Sequence, residues 1–173
     1  MRVNKGLMIA ATFDPTKRTS LITVADMCRK IEENSISLPL YQRDISWTLQ
    51  KCIDLLNYQL WGKAPVSPIS INVINTVDSA VPQVSFIDRE IISTIERGQY
   101  SVVDGQQRLT TNYKAYCNHD DFRNIVLDLG KGEFTEVRDS IRSNQIPVGI
   151  LLNKEDTLSL IHISEPTRRS YIS

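Results

Sequence analysis

The sequence lacks any uninterrupted apolar run long enough to cross a membrane, and its N-terminus lacks the hydrophobic block and cleavage site of a signal peptide. It also lacks a charge excess, because Lys and Arg total 20 and Asp and Glu total 20. A domain that grips nucleic acid unaided usually has a basic excess. These absences predict a soluble, cytoplasmic protein and give no support to tight, sequence-independent DNA binding by this chain.

Metal-ligating side chains are also scarce. The sequence has three Cys and two His but no CxxC pair, which argues against a structural zinc site. The cysteines are predicted to be reduced, mostly buried thiols, and the segment His119-Asp120-Asp121 is predicted to be a polar loop rather than a metal site. A Walker A glycine loop with its Lys-Ser/Thr is absent as well, which excludes a P-loop NTPase.

What is present is enough for one folded unit. With 173 residues, 41% of them hydrophobic, the chain can bury one proper core but not two comfortable ones. The predicted division is a loosely ordered lead-in over residues 1–19, a single α+β domain over 20–156 with a small mixed sheet and flanking helices, and a separate tail over 157–173.

Hydrophobic periodicity predicts the order of the elements. A first helix follows a capping Thr23, and a second, capped by Ser46, has Trp47 and Trp61 at its ends and Gly62 as its terminator. Pro39 is expected to confine the first strand to a sheet edge or to end it early. Strands are predicted over 36–40, 69–73, 84–87, 100–103, 125–129 and 134–137, and the pattern leaves the state of 146–152 open.

The stretch from Tyr100 to Thr111, YSVVDGQQRLTT, reads as a strand, a tight turn and a helix. Such a junction presents unpaired N–H groups and the positive end of a helix dipole, which suits an anion. Gly105 allows close approach of a ligand, and Arg108 adds a permanent cation. The alternative is a solvated first helical turn that binds nothing.

Two strings carry a resemblance to a known family: Val103 to Thr111, VDGQQRLTT, and Leu38 to Trp47, LPLYQRDISW. They resemble the two signatures of the N-terminal domain of GmrSD-type, modification-dependent restriction endonucleases. That family is similar to the ParB/sulfiredoxin group, whose members place nucleotide phosphates at a comparable strand-to-helix turn. The resemblance covers roughly residues 20 to 155, and it implies a ParB/sulfiredoxin-like fold in which both strings line one pocket.

The resemblance also implies roles for individual residues. The expected catalytic residues are Asp104, which would hold Mg²⁺ or orient a water, and Gln106 and Gln107, whose side chains would position a water or a ribose. The expected nucleotide-binding and phosphate-binding residues are Gln42, Arg43, Gly105, Arg108 and Thr110. For Gln42 and Arg43, the alternative is a surface salt bridge to Asp44 or another carboxylate.

The function implied by the resemblance is that of a regulatory domain that binds, and as a further expectation hydrolyses, a nucleoside triphosphate with Mg²⁺. It would belong to a phage-defence protein that meets modified DNA and carries an HNH-like nuclease unit after this domain. Two alternatives stay open at this point. One is a ParB-like module that contacts DNA without enzymatic activity, and the other is a non-functional gene fragment.

The end of the chain departs from the preceding pattern. From about Thr157 the sequence, ending LSLIHISEPTRRSYIS, loses its periodicity and resembles translated adapter read-through. The expectation is a non-native tail on a truncated gene, in which His162 is no ligand candidate.

Overall fold

The computed structural model describes residues 22–44, 46–63, 68–78 and 80–152. The predictions for the lead-in and for the tail fall on residues outside these ranges. The helices are α1 (Val24–Glu32), α2 (Leu49–Leu60), α3 (Gln106–Tyr116) and α4 (Val148–Leu152), with a 3₁₀ helix at Asp120–Phe122. The strands are β1 (Ile36–Pro39), β2 (Ser70–Val73), β3 (Gln83–Val84), β4 (Tyr100–Asp104), β5 (Ile125–Asp128), β6 (Glu133–Glu136) and β7 (Gln145–Pro147).

The larger sheet has four strands in the order β2-β4-β1-β3 and is mixed, as predicted, because β4 runs parallel to β1 but antiparallel to β2. The expectation that Pro39 places β1 at an edge is wrong. β1 pairs on both sides, and all four of its residues are buried. The strand instead ends at Pro39, which is the other outcome that proline allows.

The smaller sheet is antiparallel, with β5 between β6 and β7. Its hairpin turns at Gly132, which has the positive φ of 70° that a tight turn favours. The run 146–152, whose state the sequence pattern leaves open, contains parts of two elements. Its first two residues belong to β7, which ends at Pro147, and Val148 begins the short α4.

Two clusters of buried side chains form the core, and α3 contributes to both. Leu109 packs in the first cluster with residues of α1, β1 and β4, whereas Ala115 packs in the second with residues of α2, β5 and β6. Both ends of α3 are therefore fixed by apolar burial. The start of the helix is held rigidly against the larger sheet.

Helix capping follows the prediction at α1 and departs from it at α2. At α1 the Thr23 hydroxyl accepts from the Asp26 amide at 3.1 Å. At α2 the cap is Thr48, whose hydroxyl accepts from the Lys51 amide at 3.4 Å, so the prediction of Ser46 is wrong. The physical reason is a tertiary contact: the Ser46 amide donates to the Gln107 side chain, which keeps Ser46 outside the helix.

The strand predicted over 84–87 is also shorter than expected. It ends at Val84, because the Ser85 amide donates to the carbonyl oxygen of Glu90 and closes a tight loop. Arg89 in this loop has a φ of 58°, which is unusual for a residue with a side chain. Within the described ranges, no helix combines the length and apolar character needed to cross a membrane.

Candidate functional site

The central stretch folds as predicted. β4 ends at Asp104, Gly105 is the N-cap, and α3 begins at Gln106. Gly105 has a φ of 94°, and a Cβ atom there would lie 2.9 Å from Cγ1 of Ile69. Glycine is thus required at the turn both by the backbone conformation and by the neighbouring side chain.

The start of α3 presents backbone donors. Gly105 has no side chain with which to cap the helix, and no residue in the described part of the chain accepts from the amides of Gln106 or Gln107. The positive end of the helix dipole lies at the same place. This turn is therefore suited to an anion, although a helix start alone does not define a site.

Residues 42–44 and 46–47, called the QR loop below, pack directly on this turn. The Gln42 side chain donates to the carbonyl oxygens of Val103 at 2.8 Å and Val102 at 3.3 Å. In the other direction, Nε2 of Gln106 donates to the carbonyl oxygen of Arg43 at 2.9 Å. The prediction that the two distant strings lie together is confirmed.

Gln107 makes the most extensive contact with the QR loop. Its Oε1 accepts from the amides of Ser46 at 3.2 Å and Trp47 at 3.3 Å, and its Nε2 lies 3.4 Å from the carbonyl oxygen of Asp44. Both ends of its amide are thus engaged with backbone. The role that the geometry supports for Gln106 and Gln107 is to hold the loop, whereas the water or ribose contacts expected of them stay predictions.

The QR loop and the turn enclose a cavity of about 360 Å³, called the first cavity. Seven of the eight predicted site residues line it, and Thr110 does not. Thr110 is 1% exposed and lies one turn further along α3, so the structure does not support direct contact with a phosphate in the first cavity. The lining residues are Gln42, Arg43, Ser46, Trp47, Val103, Asp104, Gly105, Gln106, Gln107 and Arg108.

Two arginines and one carboxylate give the first cavity its charge. Arg43 is exposed, and no carboxylate within the described ranges pairs with it. The Arg108 side chain is 23% exposed, and its Nη2 lies 3.2 Å from the carbonyl oxygen of Pro68 and 3.7 Å from the Asp104 carboxylate. Asp104 itself is 75% exposed. The cavity is therefore cationic on balance, with its carboxylate accessible.

Sequence reasoning missed Arg89, which supports the QR loop from the opposite side. Its Nη2 donates to the carbonyl oxygen of Gln42 at 2.6 Å, and its Nε lies 3.5 Å from the Asp44 carboxylate. The salt bridge considered between Arg43 and Asp44 is thus replaced by one from Arg89. No sequence signal could have identified it, because Arg89 lies in a segment without periodicity, 47 residues from Gln42.

Asp104 fits the expected role of a Mg²⁺ ligand only if a phosphate group supplies further ligands to the ion. No group of three or more His, Cys, Asp or Glu side chains in the described ranges is arranged to hold a metal ion. Mg²⁺ is, however, commonly bound by one or two carboxylates together with substrate phosphates. An exposed carboxylate beside an anion site meets that requirement, so Asp104 is suited to hold Mg²⁺ jointly with a phosphate ligand.

A comparison with models of known families identifies the family of this chain. The model of the GmrSD restriction endonuclease N-terminal domain matches residues 24–171, which is most of the chain. The chain belongs to this family. As a GmrSD N-terminal domain it is part of a restriction-type, phage-defence protein. No curated protein matches the chain.

The matched range includes the residues on which the resemblance rests. Both strings of the resemblance lie inside it, as does every residue that lines the first cavity. The GmrSD match also continues to residue 171, into the segment for which adapter read-through is expected. That expectation falls on residues outside the described ranges and stays a prediction.

Proposed function

We propose that this domain binds a nucleoside triphosphate with Mg²⁺ in the first cavity and hydrolyses it, as the cytoplasmic regulatory part of a modification-dependent restriction protein. One observation carries the proposal. The QR loop and the Gly105 turn, about sixty residues apart in sequence, are hydrogen-bonded into one cationic cavity at a helix start. Phosphate groups are the ligands that such a combination favours.

The phosphate contacts follow from charge and reach. The amides of Gln106 and Gln107 would donate to phosphate oxygens, in line with the dipole of α3. Arg43 offers a guanidinium whose planar fork suits two phosphate oxygens, and the loop contacts of Gln106 and Gln107 hold its backbone in place. Arg108 is anchored to Pro68 and supplies a second positive charge at the same wall.

Hydrolysis is assigned to Asp104. A bare carboxylate beside a triphosphate is repelled unless a cation lies between them, and Mg²⁺ supplies that charge when it is bound. Asp104 is exposed at the cavity and can hold the cation or orient a water. Its partner Arg108 keeps the carboxylate near the helix start.

Modified DNA is proposed as a partner of the whole protein rather than as a ligand of the first cavity. The family description names a restriction endonuclease, so DNA is the target of the system, and an HNH-like nuclease unit is proposed to do the cutting. A ParB/sulfiredoxin-like fold is proposed as well, on the resemblance of the strand-to-helix turn at Gly105. The alternative of a DNA-contacting module without enzymatic activity is disfavoured by the balanced charge of the chain.

Isothermal titration of the chain with ATP, GTP, CTP and UTP, each with and without Mg²⁺, tests the proposal. Binding of at least one nucleotide is expected, with tighter binding in the presence of Mg²⁺. Phosphate release, followed in parallel, tests hydrolysis. The absence of binding to all four nucleotides would refute the proposal.

Arginine variants locate the site. Arg43→Ala should raise the Kd about ten- to 150-fold, the equivalent of one charge-assisted contact, with the melting temperature unchanged. Arg108→Ala should weaken binding similarly but also cost about 1 kcal/mol of stability, because it loses the contact with Pro68. Arg108→Lys should recover only part of the affinity, since lysine lacks the fork.

Arg142→Ala is the matched control, because Arg142 is exposed and does not line the first cavity. It removes the same charge from the chain and should leave nucleotide affinity unchanged. If Arg142→Ala weakens binding as much as Arg43→Ala does, the effect of both is one of net charge, and the first cavity is not the site.

A further inference from the structure

A second cavity, of about 300 Å³, lies beside the first. Trp47 lines both cavities, and the second extends along α3 toward the 3₁₀ helix. Its apolar wall includes Trp47, Leu49 and the buried Phe122. The contacts proposed for the phosphates do not use the second cavity.

Polar side chains also line the second cavity. Nζ of Lys114 lies 2.6 Å from the Asp121 carboxylate, and the Lys114 side chain is 15% exposed. Thr111, another lining residue, donates its hydroxyl to the carbonyl oxygen of Gln107 at 2.9 Å. The cavity thus combines aromatic surface with a donor, an acceptor and a hydroxyl, which is the composition of a pocket for a planar, polar-edged molecule.

The two cavities share Trp47 as a lining residue, and Gln107 is hydrogen-bonded to a residue of each. Its side chain accepts from the Trp47 amide in the first cavity, and its carbonyl accepts from Thr111 in the second. At 1.5 Å per residue, Thr111 lies about 7 Å along α3 from Gln106. This is comparable to the separation between a phosphate and the base within one nucleotide.

We propose that the second cavity holds the nucleobase of the nucleotide whose phosphates lie in the first cavity. The inference rests on the proposed function and adds to it the site of base recognition. The base stacks against Trp47, and its edge faces Lys114 and Asp121, which together offer a donor and an acceptor. The domain therefore distinguishes a nucleoside triphosphate from inorganic triphosphate.

Trp47 can report on its own cavity. The chain has two tryptophans, and Trp61 is exposed, with its indole donating to the carbonyl oxygen of Gly132, away from both cavities. In the Trp61→Phe variant of the full chain, Trp47 is the remaining indole. This variant is titrated with inorganic tripolyphosphate and with each of the four nucleoside triphosphates, all with Mg²⁺.

The expected result is that at least one nucleoside triphosphate quenches Trp47 fluorescence and binds about tenfold more tightly than tripolyphosphate, the contribution of one stacked base. Tripolyphosphate should bind with little change in fluorescence. Leu49→Phe, added to narrow the second cavity, should bring the nucleotide Kd to that of tripolyphosphate and leave the tripolyphosphate Kd unchanged.

Four results would overturn the inference. Equal affinity for nucleotides and tripolyphosphate without quenching would remove the base site and leave the proposed function intact. If Leu49→Phe weakens the binding of nucleotide and of tripolyphosphate to the same extent, the second cavity has no role specific to the base. Quenching by single-stranded DNA but by no nucleotide would assign the cavity to a DNA base, and failure of every phosphate ligand to bind would overturn the proposed function as well.

Discussion

At the scale of single residues, three arginines near the first cavity have different surroundings and therefore different expected roles. Arg43 is exposed and suited to an incoming anion, whereas Arg108 is partly buried against Pro68. Arg89 lies on the far side of the QR loop with its side chain 20% exposed, and its Nη1 is buried without a hydrogen-bond partner among the described residues. Arg89 thus acts through the loop and does not itself line the first cavity.

Arg89→Met tests this positioning role. The change keeps an apolar stem but removes the contacts with the carbonyl oxygen of Gln42 and with Asp44. The expected loss is about 1 kcal/mol of unfolding free energy in urea, because a partly buried carbonyl loses its hydrogen-bond donor. The Kd values for nucleotide and for tripolyphosphate should rise by a similar factor, because Arg43, which is assigned to the phosphates, is less well held.

The control for Arg89 is Arg123→Met. Arg123 forms an ion pair with Asp120 at 2.6 Å, but its side chain is 66% exposed, and such pairs contribute about 0–1 kcal/mol. Arg89→Lys should restore part of the affinity. If Arg89→Met binds nucleotide like the unmodified chain, the loop does not depend on Arg89.

At the scale of elements, the smaller sheet depends on one buried carboxylate. Asp128, at the end of β5, accepts from the backbone amides of Gly130 and Lys131 and from the side chains of Asn144 and Gln145. These bonds hold the β5-β6 turn and the loop before β7 on one side chain. The Gln145 side chain, followed by the Lys131 amide, holds the pKa of Asp128 below its usual value.

The lowered pKa predicts how stability depends on pH. The stabilisation from Asp128 is complete above the unfolded pKa, about 3.9, and is lost as the pH falls through the lower folded pKa, because only the ionised carboxylate accepts all these bonds. The Asp121 pKa is also lowered, by its hydrogen bond with Lys114, and Asp121 adds to the same acid loss.

Asp128→Asn should therefore reduce stability near neutral pH and flatten its fall below about pH 4. Urea denaturation at several pH values measures both effects. Asp139→Asn, at an exposed position, is the control for the change in net charge. A variant Asp128→Asn with the original pH dependence would show that other carboxyl groups cause the acid loss.

At the scale of the whole molecule, α3 connects two core clusters, so the described part of the chain should unfold as one unit. Cys28 lies on α1 beside the first cluster, and Cys52 belongs to the second. Both thiols are buried, and burial raises the pKa of Cys28 to about 12. Cys117 is exposed, so two of the three thiols are buried, which agrees with the expectation of mostly buried thiols.

Thiol labelling at about pH 8 tests whether the described part of the chain unfolds as one unit. The native chain should react at Cys117, slowly because partial desolvation of this thiol raises its pKa, and at all three cysteines in denaturant. In the Cys117→Ser variant, Cys28 and Cys52 should become reactive at the same urea concentration. Labelling of one well before the other would show that the two clusters unfold separately.

The predictability of the site differs from residue to residue. The strand-turn-helix at Gly105 was predictable because periodicity and a turn glycine are local signals. The proximity of the QR loop came from resemblance, since no local rule brings together residues 60 apart. The cap at Thr48 and the support from Arg89 were not predictable, because both involve contacts between residues far apart in the chain.

The α+β class, the helix start at Gln106 and the family could be inferred from the sequence, because these depend on patterns along the chain and on two strings of residues. Tertiary contacts were needed to show that Gln106 and Gln107 hold the QR loop, that Thr110 lies away from the first cavity and that Trp47 borders a second one. The physical reason is the direction of side chains. Helical spacing specifies which residues share a face, but packing against the sheet and the loop specifies what that face meets.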